Sequence, residues 1–303
     1  MMVEQSTREL LERILREQVD LDPLKDEQCR AVLRTVLNSV IKEAKAKSPE
    51  FDEVYYGTYK SGSRFDGTQI RAKKFDYDIN ILFKLPPTSW APELLGDDNR
   101  LPNFAFITAK PQHTKTWKSL EGPNRLGKNI IRPIKMHELL HGAVTKALES
   151  LKHEVKVKGK WKGTYKVTRS DSTPVKLTVK GPGISFTVDL VPAFDLQLKH
   201  IGIDEDLKHR VDAVRKISKS ETKSFMAIAL WKASKDMFEF DFHDVERDLL
   251  ASRGGCVYDV IKLMKHARNH KGGNLLKLKS HALKVDNKYL LLSNRPLLDC
   301  GDA

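Results

Sequence analysis

The chain has 303 residues, 40% of them hydrophobic, enough to fill a real core in one large domain or in two lobes sharing an interface. Lys and Arg outnumber Asp and Glu by 53 to 40, and the net charge of +13 favours a polyanionic partner such as nucleic acid, nucleotides or acidic lipid without choosing among them. Three widely separated cysteines, Cys29, Cys256 and Cys300, support neither a disulfide framework nor a Cys-rich metal knuckle and fit a reducing compartment.

The chain opens on a charged stretch, MMVEQSTRELLERILREQ, and nowhere do about 18 apolar residues run together. Neither a signal peptide nor a membrane span is expected, and the cytoplasm is the default location. From Glu27 to Lys47 the apolar residues Val32, Val36, Leu37, Val40, Ile41 and Ala44 recur three and four apart. That spacing predicts a long amphipathic helix, basic near its end at Lys42, Lys45 and Lys47. YYGTYKSGSRFDGTQIRAKK follows as a Gly- and Ser-rich turn region, and FDYDINILFKL then reads as a buried strand stopped by Pro86 and Pro87. Between Lys152 and Phe194, β-branched and aromatic residues gather around Gly and Pro as they do in antiparallel strands and hairpins. From about Ile203 the pattern turns helical, in LKHRVDAVRKISK, SFMAIALWKASKDMF, VYDVIKLMKHARNH and a last segment near LLKLKSHALKV. The expected organisation is an α/β lobe over residues 1–204 followed by a helical lobe over 205–303, with no internal repeat.

The chemistry concentrates in FDYDINILFKL. Side chains alternate faces along a strand, so Asp76 and Asp78 project side by side. Two adjacent anions on a partly buried face repel, and burial without a partner would raise a pKa or cost several kcal/mol. A divalent cation removes that conflict, and hard oxygen ligands at this spacing suit Mg²⁺ or Mn²⁺ completed by waters and substrate phosphates. A lone D-x-D is better explained by an edge strand whose outer face meets water, so its company has to decide. Upstream, Gly62 and Ser63 in YKSGSRFDG can present backbone N–H groups and a hydroxyl to a phosphate. Downstream, ISFTVDLVPAF places a single acid, Asp189, in another apolar strand. Three isolated acids in two apolar strands make one metal site plausible.

Two short motifs compete. MHELLH, Met136–His141, satisfies H-E-x-x-H, but the face of His137 and His141 continues through Val144 and Leu148, and the third His and the Gly of the extended protease signature are missing. Packing at a lobe surface explains it, the pattern is short enough to occur by chance, and a zinc protease is not expected. GTYKSGS has the G-x-x-x-x-G of a P-loop but Ser63 where the Lys should stand, which argues against a P-loop ATPase.

G-S, a short gap, an acid-x-acid strand and a single Asp in a later strand together resemble the nucleotidyltransferase superfamily to which DNA polymerase beta and the cyclic GMP-AMP synthases belong. The continuation into FKLP, the long basic helix, KSFMAIALW, and VYDVIKLMKHARNH followed by LKSHALKV look specifically like animal cyclic GMP-AMP synthase-like receptors, over nearly the whole chain. The resemblance implies an α/β (α+β) bilobal nucleotidyltransferase: a mixed twisted sheet lobe with a long N-terminal spine helix, plus a C-terminal helical-bundle lobe. Asp76, Asp78 and Asp189 would then be catalytic and hold two Mg²⁺ or Mn²⁺ ions, with Gly62 and Ser63 on the donor triphosphate. Ser224, Lys262, Lys265 and Ser280 match nucleotide-contacting positions, and His281 stands where the vertebrate enzyme has a base-stacking Tyr.

The implied activity is two successive phosphoryl transfers between ATP and GTP that close a cyclic dinucleotide of the cyclic GMP-AMP type, with Asp189 able to accept the acceptor hydroxyl's proton. Charge runs are usually solvated faces, but members of this family are receptors on which a duplex nucleic acid lies along the long helix and nearby basic surface. That assigns Lys42, Lys45, Lys47, Lys208, Arg210, Arg215 and Lys216 to a salt-sensitive phosphate-contacting surface, with dimerisation on the activating ligand a further expectation. The vertebrate DNA sensor carries a zinc insert in its second lobe. Here EFDFHDVERDLLASRGGC offers only His243 and a lone Cys256, so no structural zinc is expected and double-stranded RNA is favoured over double-stranded DNA. The alternative kept open is a catalytically silent member of the same family, serving as a nucleic-acid-binding or scaffold protein.

Overall fold

The computed structural model describes residues 9–62, 64–65, 67–71, 75–84, 93–95, 104–107, 114–123, 127–170, 174–197, 202–203, 224–229, 237–241 and 255–271. Packing divides the chain into two compact units, one drawn from Met1–Asp26, Ser63–Lys73 and Arg247–Ala303, the other from Glu27–Gly62 and Lys74–Glu246.

The long helix α1 spans Pro23–Lys47. Asp22 caps it by accepting the N–H groups of Leu24 and Lys25 at 3.1 and 3.3 Å, and Pro23 supplies a fixed φ in its first turn. Val32, Val36, Leu37, Val40, Ile41 and Ala44 are all buried, the stripe that their spacing predicts. Ser48 ends this helix and caps the next, α2 (Pro49–Val54), whose Phe51 N–H donates to the Ser48 hydroxyl at 3.4 Å.

The segment expected as a turn region begins instead as a strand, β1 (Tyr55–Ser61), paired antiparallel with β2 (Phe75–Phe83). Tyr55, Tyr59 and Thr58 suit a half-exposed strand, and Gly57 marks the one register shift in that pairing. Turn composition concealed a strand because only β2 supplies the ladder for β1.

The hairpins expected between Lys152 and Phe194 are present as β7 (Glu154–Val157), β8 (Gly163–Arg169), β9 (Val175–Gly181) and β10 (Ile184–Gln197), each paired antiparallel with the next. The last turn is Pro182-Gly183, with Gly183 at φ +74°. β10 is the hub of the sheet: one edge carries β9 and then β12 (Ser224–Ala229), the other carries β2 in parallel. Beyond β12 the sheet runs through β13 (Phe238–Asp241), β4 (Phe104–Ile107) and β3 (Glu93–Leu95) to β11 (Gly202–Ile203).

β12 corrects a sequence expectation, since SFMAIAL was read as helix. A short apolar run has no decisive period, and the free edge of β10 between Ala193 and Gln197 settles it as a strand. The sheet thus continues past residue 204.

One face of the sheet builds the core. Phe75, Tyr77, Ile79, Ile81 and Phe83 of β2 lie beside Phe186, Val188, Leu190, Pro192 and Phe194 of β10 in register. The Tyr77 and Phe186 rings meet edge-on at 5.4 Å, and Trp117 of α3 (Lys115–Leu120) stacks on Phe194 at 6.2 Å. Helix α4 (Pro133–Ser150) buries Met136, Leu140, Ala143, Val144 and Ala147 and packs against β8, β9, β10 and β12. In the other unit, α5 (Gly255–Lys271) forms the helix expected for VYDVIKLMKHARNH. The segments LKHRVDAVRKISK and LLKLKSHALKV lie outside the described residues. Among the described residues, no helix is long and apolar enough to cross a membrane.

Candidate functional site

β2 is an interior strand, bonded to β1 on one side and β10 on the other, so its acids are not the wet face of a sheet edge. Along it, burial alternates from Phe75 to Ile79, with Asp76 and Asp78 exposed between buried neighbours. The parallel pairing sets Asp189 beside Asp78 and Thr187 beside Asp76. Register partners in a sheet share a face, so Asp189, distant in sequence, becomes a neighbour of Asp76 and Asp78.

Each outer acid has a partner. The Thr187 hydroxyl donates to Asp76 Oδ1, and Lys176 Nζ lies 3.1 Å from Asp189 Oδ1, directly across the β9–β10 pairing. Burial pushes the Asp189 carboxyl above the usual aspartate range and Asp76 adds to the push, while Lys176 opposes it. Burial pulls the Lys176 ammonium down, but the ion pair with Asp189, with the charges of Asp76 and Asp78, outweighs it and holds the ammonium above the usual lysine value. Lys176 is the site residue that sequence reasoning missed. Its one signal was alternation with the buried Val175, Leu177 and Val179, which puts it on the outward face but names no partner.

Gly62 closes the site from the side of β1. Its φ is +81°, and a Cβ there would fall 2.2 Å from Asp78 Oδ2, so only glycine lets this backbone lie against the carboxylate. Ser61 reinforces the approach, its hydroxyl donating to the Asp78 carbonyl at 3.3 Å. Asn80, two residues on along the same face, is buried, and among the described residues its side-chain nitrogen has no hydrogen-bond partner.

The donor set fits a hard divalent cation: three carboxylates on one sheet face, one of them partly desolvated, beside a backbone held close by a glycine. Among the described residues, no group of three His, Cys, Asp or Glu side chains is gathered tightly enough to hold an ion as arranged. Asp189 is turned to Lys176 and Asp76 to Thr187.

In the unit that contains α5, Lys262 pairs with Asp20 at 2.9 Å. Lys265 is 3% exposed and donates to the carbonyl and hydroxyl of buried Thr68 at 2.9 and 2.8 Å. Lys42, Lys45 and Lys47 are exposed on α1, and Lys45 also pairs with Asp52 at 3.0 Å and lies over the Tyr55 ring. Ser224, expected on a helix, opens β12 opposite Gln197. Ser63, Lys208, Arg210, Arg215, Lys216, His243, Ser280 and His281 lie outside the described residues.

H-E-x-x-H sits on α4 as packing. His137 is 1% exposed and its Nε2–H donates to the Ala229 carbonyl at 2.6 Å. The Arg169 guanidinium donates to His141 Nε2, and Glu138 is exposed. Burial holds the His137 imidazole below its usual value against the pull of that carbonyl. Both Nε2 atoms are thus engaged with protein groups.

A mixed sheet with paired acids on one strand and a third acid on its parallel neighbour is the pattern of a nucleotidyltransferase, and comparison with known proteins agrees. Residues 64–252, more than half of the chain, match the Mab-21 protein nucleotidyltransferase domain, so the chain belongs to the Mab-21 nucleotidyltransferase family and has its α+β fold. It is also 26% identical over 272 residues to a cyclic GMP-AMP synthase-like receptor of Aethina tumida, covering 82% of this chain and 63% of that relative. The chain therefore spans less than two thirds of that relative's length.

Proposed function

We propose that this chain is a nucleotidyltransferase that joins ATP and GTP into a cyclic dinucleotide of the cyclic GMP-AMP type, switched on by double-stranded RNA as a cytoplasmic innate immune sensor. The observation that carries this proposal is the β2–β10 register, which makes one face of Asp76, Asp78 and Asp189. The likeness to a protein named a cyclic GMP-AMP synthase-like receptor supports the product class. The charge of +13 and the exposed Lys42, Lys45 and Lys47 support a duplex partner.

Asp76, Asp78 and Asp189 would hold Mg²⁺ or Mn²⁺. When bound, such ions lower the pKa of an acceptor hydroxyl and neutralise charge on the triphosphate and the leaving pyrophosphate. The chain's own groups do the positioning. Burial makes the Asp189 carboxylate more basic, which suits it to take a proton from the acceptor ribose hydroxyl. Gly62 brings its backbone against Asp78, where, with Ser63, it would meet the donor triphosphate. Lys262, Lys265, Ser224, Ser280 and His281 would complete the nucleotide contacts.

The deciding experiment incubates the protein with four NTPs and Mg²⁺, with duplex RNA, duplex DNA or neither, and identifies products by mass and nuclease sensitivity. A cyclic dinucleotide made with RNA and lost in Asp189→Asn is expected. Activation by DNA alone would reverse the choice of activator, and product retained in Asp189→Asn would sink the site. Duplex binding without any product would select the silent, nucleic-acid-binding member of the family instead.

A further inference from the structure

The acid face carries a cation of its own. Lys176 stands opposite Asp189 in the antiparallel pairing of β9 with β10, on the face that Asp76 and Asp78 reach through β2. Val175, Leu177 and Val179 are buried on the other side, so the lysine cannot leave this face without reversing the whole strand. Its side chain is 35% exposed and that of Asp189 19%, a contact partly withdrawn from water yet open to displacement.

An incoming divalent cation meets two obstacles here. Asp189 must give up Lys176 before it can turn to an ion shared with Asp76 and Asp78, and the ammonium repels the ion as a like charge. In the resting arrangement the lysine pairs with Asp189 and feels the charges of Asp76 and Asp78 as well. Resting on the metal-holding role of Asp76, Asp78 and Asp189, we propose that Lys176 is a displaceable stand-in for the cation, competing with metal for Asp189 so that a bare ion loads poorly. An ion that arrives with a nucleotide triphosphate brings further oxygen ligands and prevails. Lys176 is accordingly a positioning residue that acts through Asp189, and it couples metal loading to substrate.

The test is a Mn²⁺ titration of the full chain without nucleotide, followed by calorimetry and by the electron paramagnetic resonance signal of free Mn²⁺. Lys176→Met keeps the side chain's length and removes its charge. It should bind Mn²⁺ roughly three- to tenfold more tightly than the wild type. Lys176→Arg, which restores the charge, should return the affinity to the wild-type value, and Asp189→Asn should bind most weakly. Without metal, Lys176→Met should melt below the wild type, and Mn²⁺ should raise its melting temperature by more than it raises that of the wild type. A merely structural lysine would not tighten metal binding when removed. Equal or weaker binding by Lys176→Met, with the wild type still saturating, overturns the stand-in role and leaves the metal site intact. Failure of every protein to bind Mn²⁺ overturns the metal site and this inference with it. Lys176→Gln repeats the measurement should the Met variant fail to fold.

Discussion

Helix α4 and the β2–β10 pair make opposite impressions in sequence and exchange them in three dimensions. MHELLH on α4 satisfies the short H-E-x-x-H pattern within about one turn and a half of helix, and the fold uses it for packing: His137 is bound to a carbonyl and His141 to Arg169. Asp76, Asp78 and Asp189 form no motif in any single element, yet a parallel register draws them onto one face. A contiguous motif is tested by what else its side chains are bonded to, and a dispersed one by whether the backbone brings it together.

The contrast breaks or sharpens under substitution. Asp76→Asn should reduce nucleotidyl transfer on the order of a thousandfold while the melting temperature holds or rises, because one of the repelling charges is gone. Turnover with wild-type kinetics would remove β2 from the chemistry. Gly62→Ala forces a side chain into the left-handed region and against Asp78 Oδ2, and should cost about 1–2 kcal/mol by thermal or urea unfolding, with a loss of activity larger than the loss of folded protein. An active, fully stable Gly62→Ala protein would show that this backbone does not need to lie against the carboxylate.

His137→Gln should leave turnover per folded molecule and zinc content unchanged while costing about 1–3 kcal/mol of stability. Its pH signature has a definite sign. The folded imidazole titrates below the unfolded one, so the stability that neutral His137 contributes is complete above about pH 6.5 and is lost as the pH falls below that value. The wild-type melting temperature should therefore drop more steeply on acidification than that of His137→Gln, and parallel curves would contradict the burial of a neutral ring. Lys42→Ala and Lys47→Ala should shift stability by less than about 0.5 kcal/mol. Each should lower the salt dependence of duplex RNA binding by about one unit of slope if it meets a phosphate. An unchanged slope would return the end of α1 to an ordinary solvated surface.

How much was legible follows the range of the interactions involved. The stripe of α1 from Val32 to Ala44, the alternation of β2 and the helix of α5 are set within a few residues by periodicity, and they stand where the spacing put them. β1 and β12 were misread because a half-polar and a short apolar run become strands only when a neighbour offers a ladder. Lys176 escaped notice for a related reason: its meaning lies in the residue across the sheet, and cross-strand identity is not written in either strand alone.

Sequence by itself determined that three acids sit in apolar strands, that Gly62 and Ser63 precede the first two, and that the family is a nucleotidyltransferase one, since these depend on residue type, order and local alternation. Tertiary structure decided that β2 lies inside the sheet, that Asp189 comes level with Asp78, that Gly62 is pressed against that carboxylate and that a lysine already stands among the acids. The physical reason is common to all four: charges and close approaches act through space, and only the hydrogen-bonded register of the sheet fixes which groups, far apart along the chain, meet there.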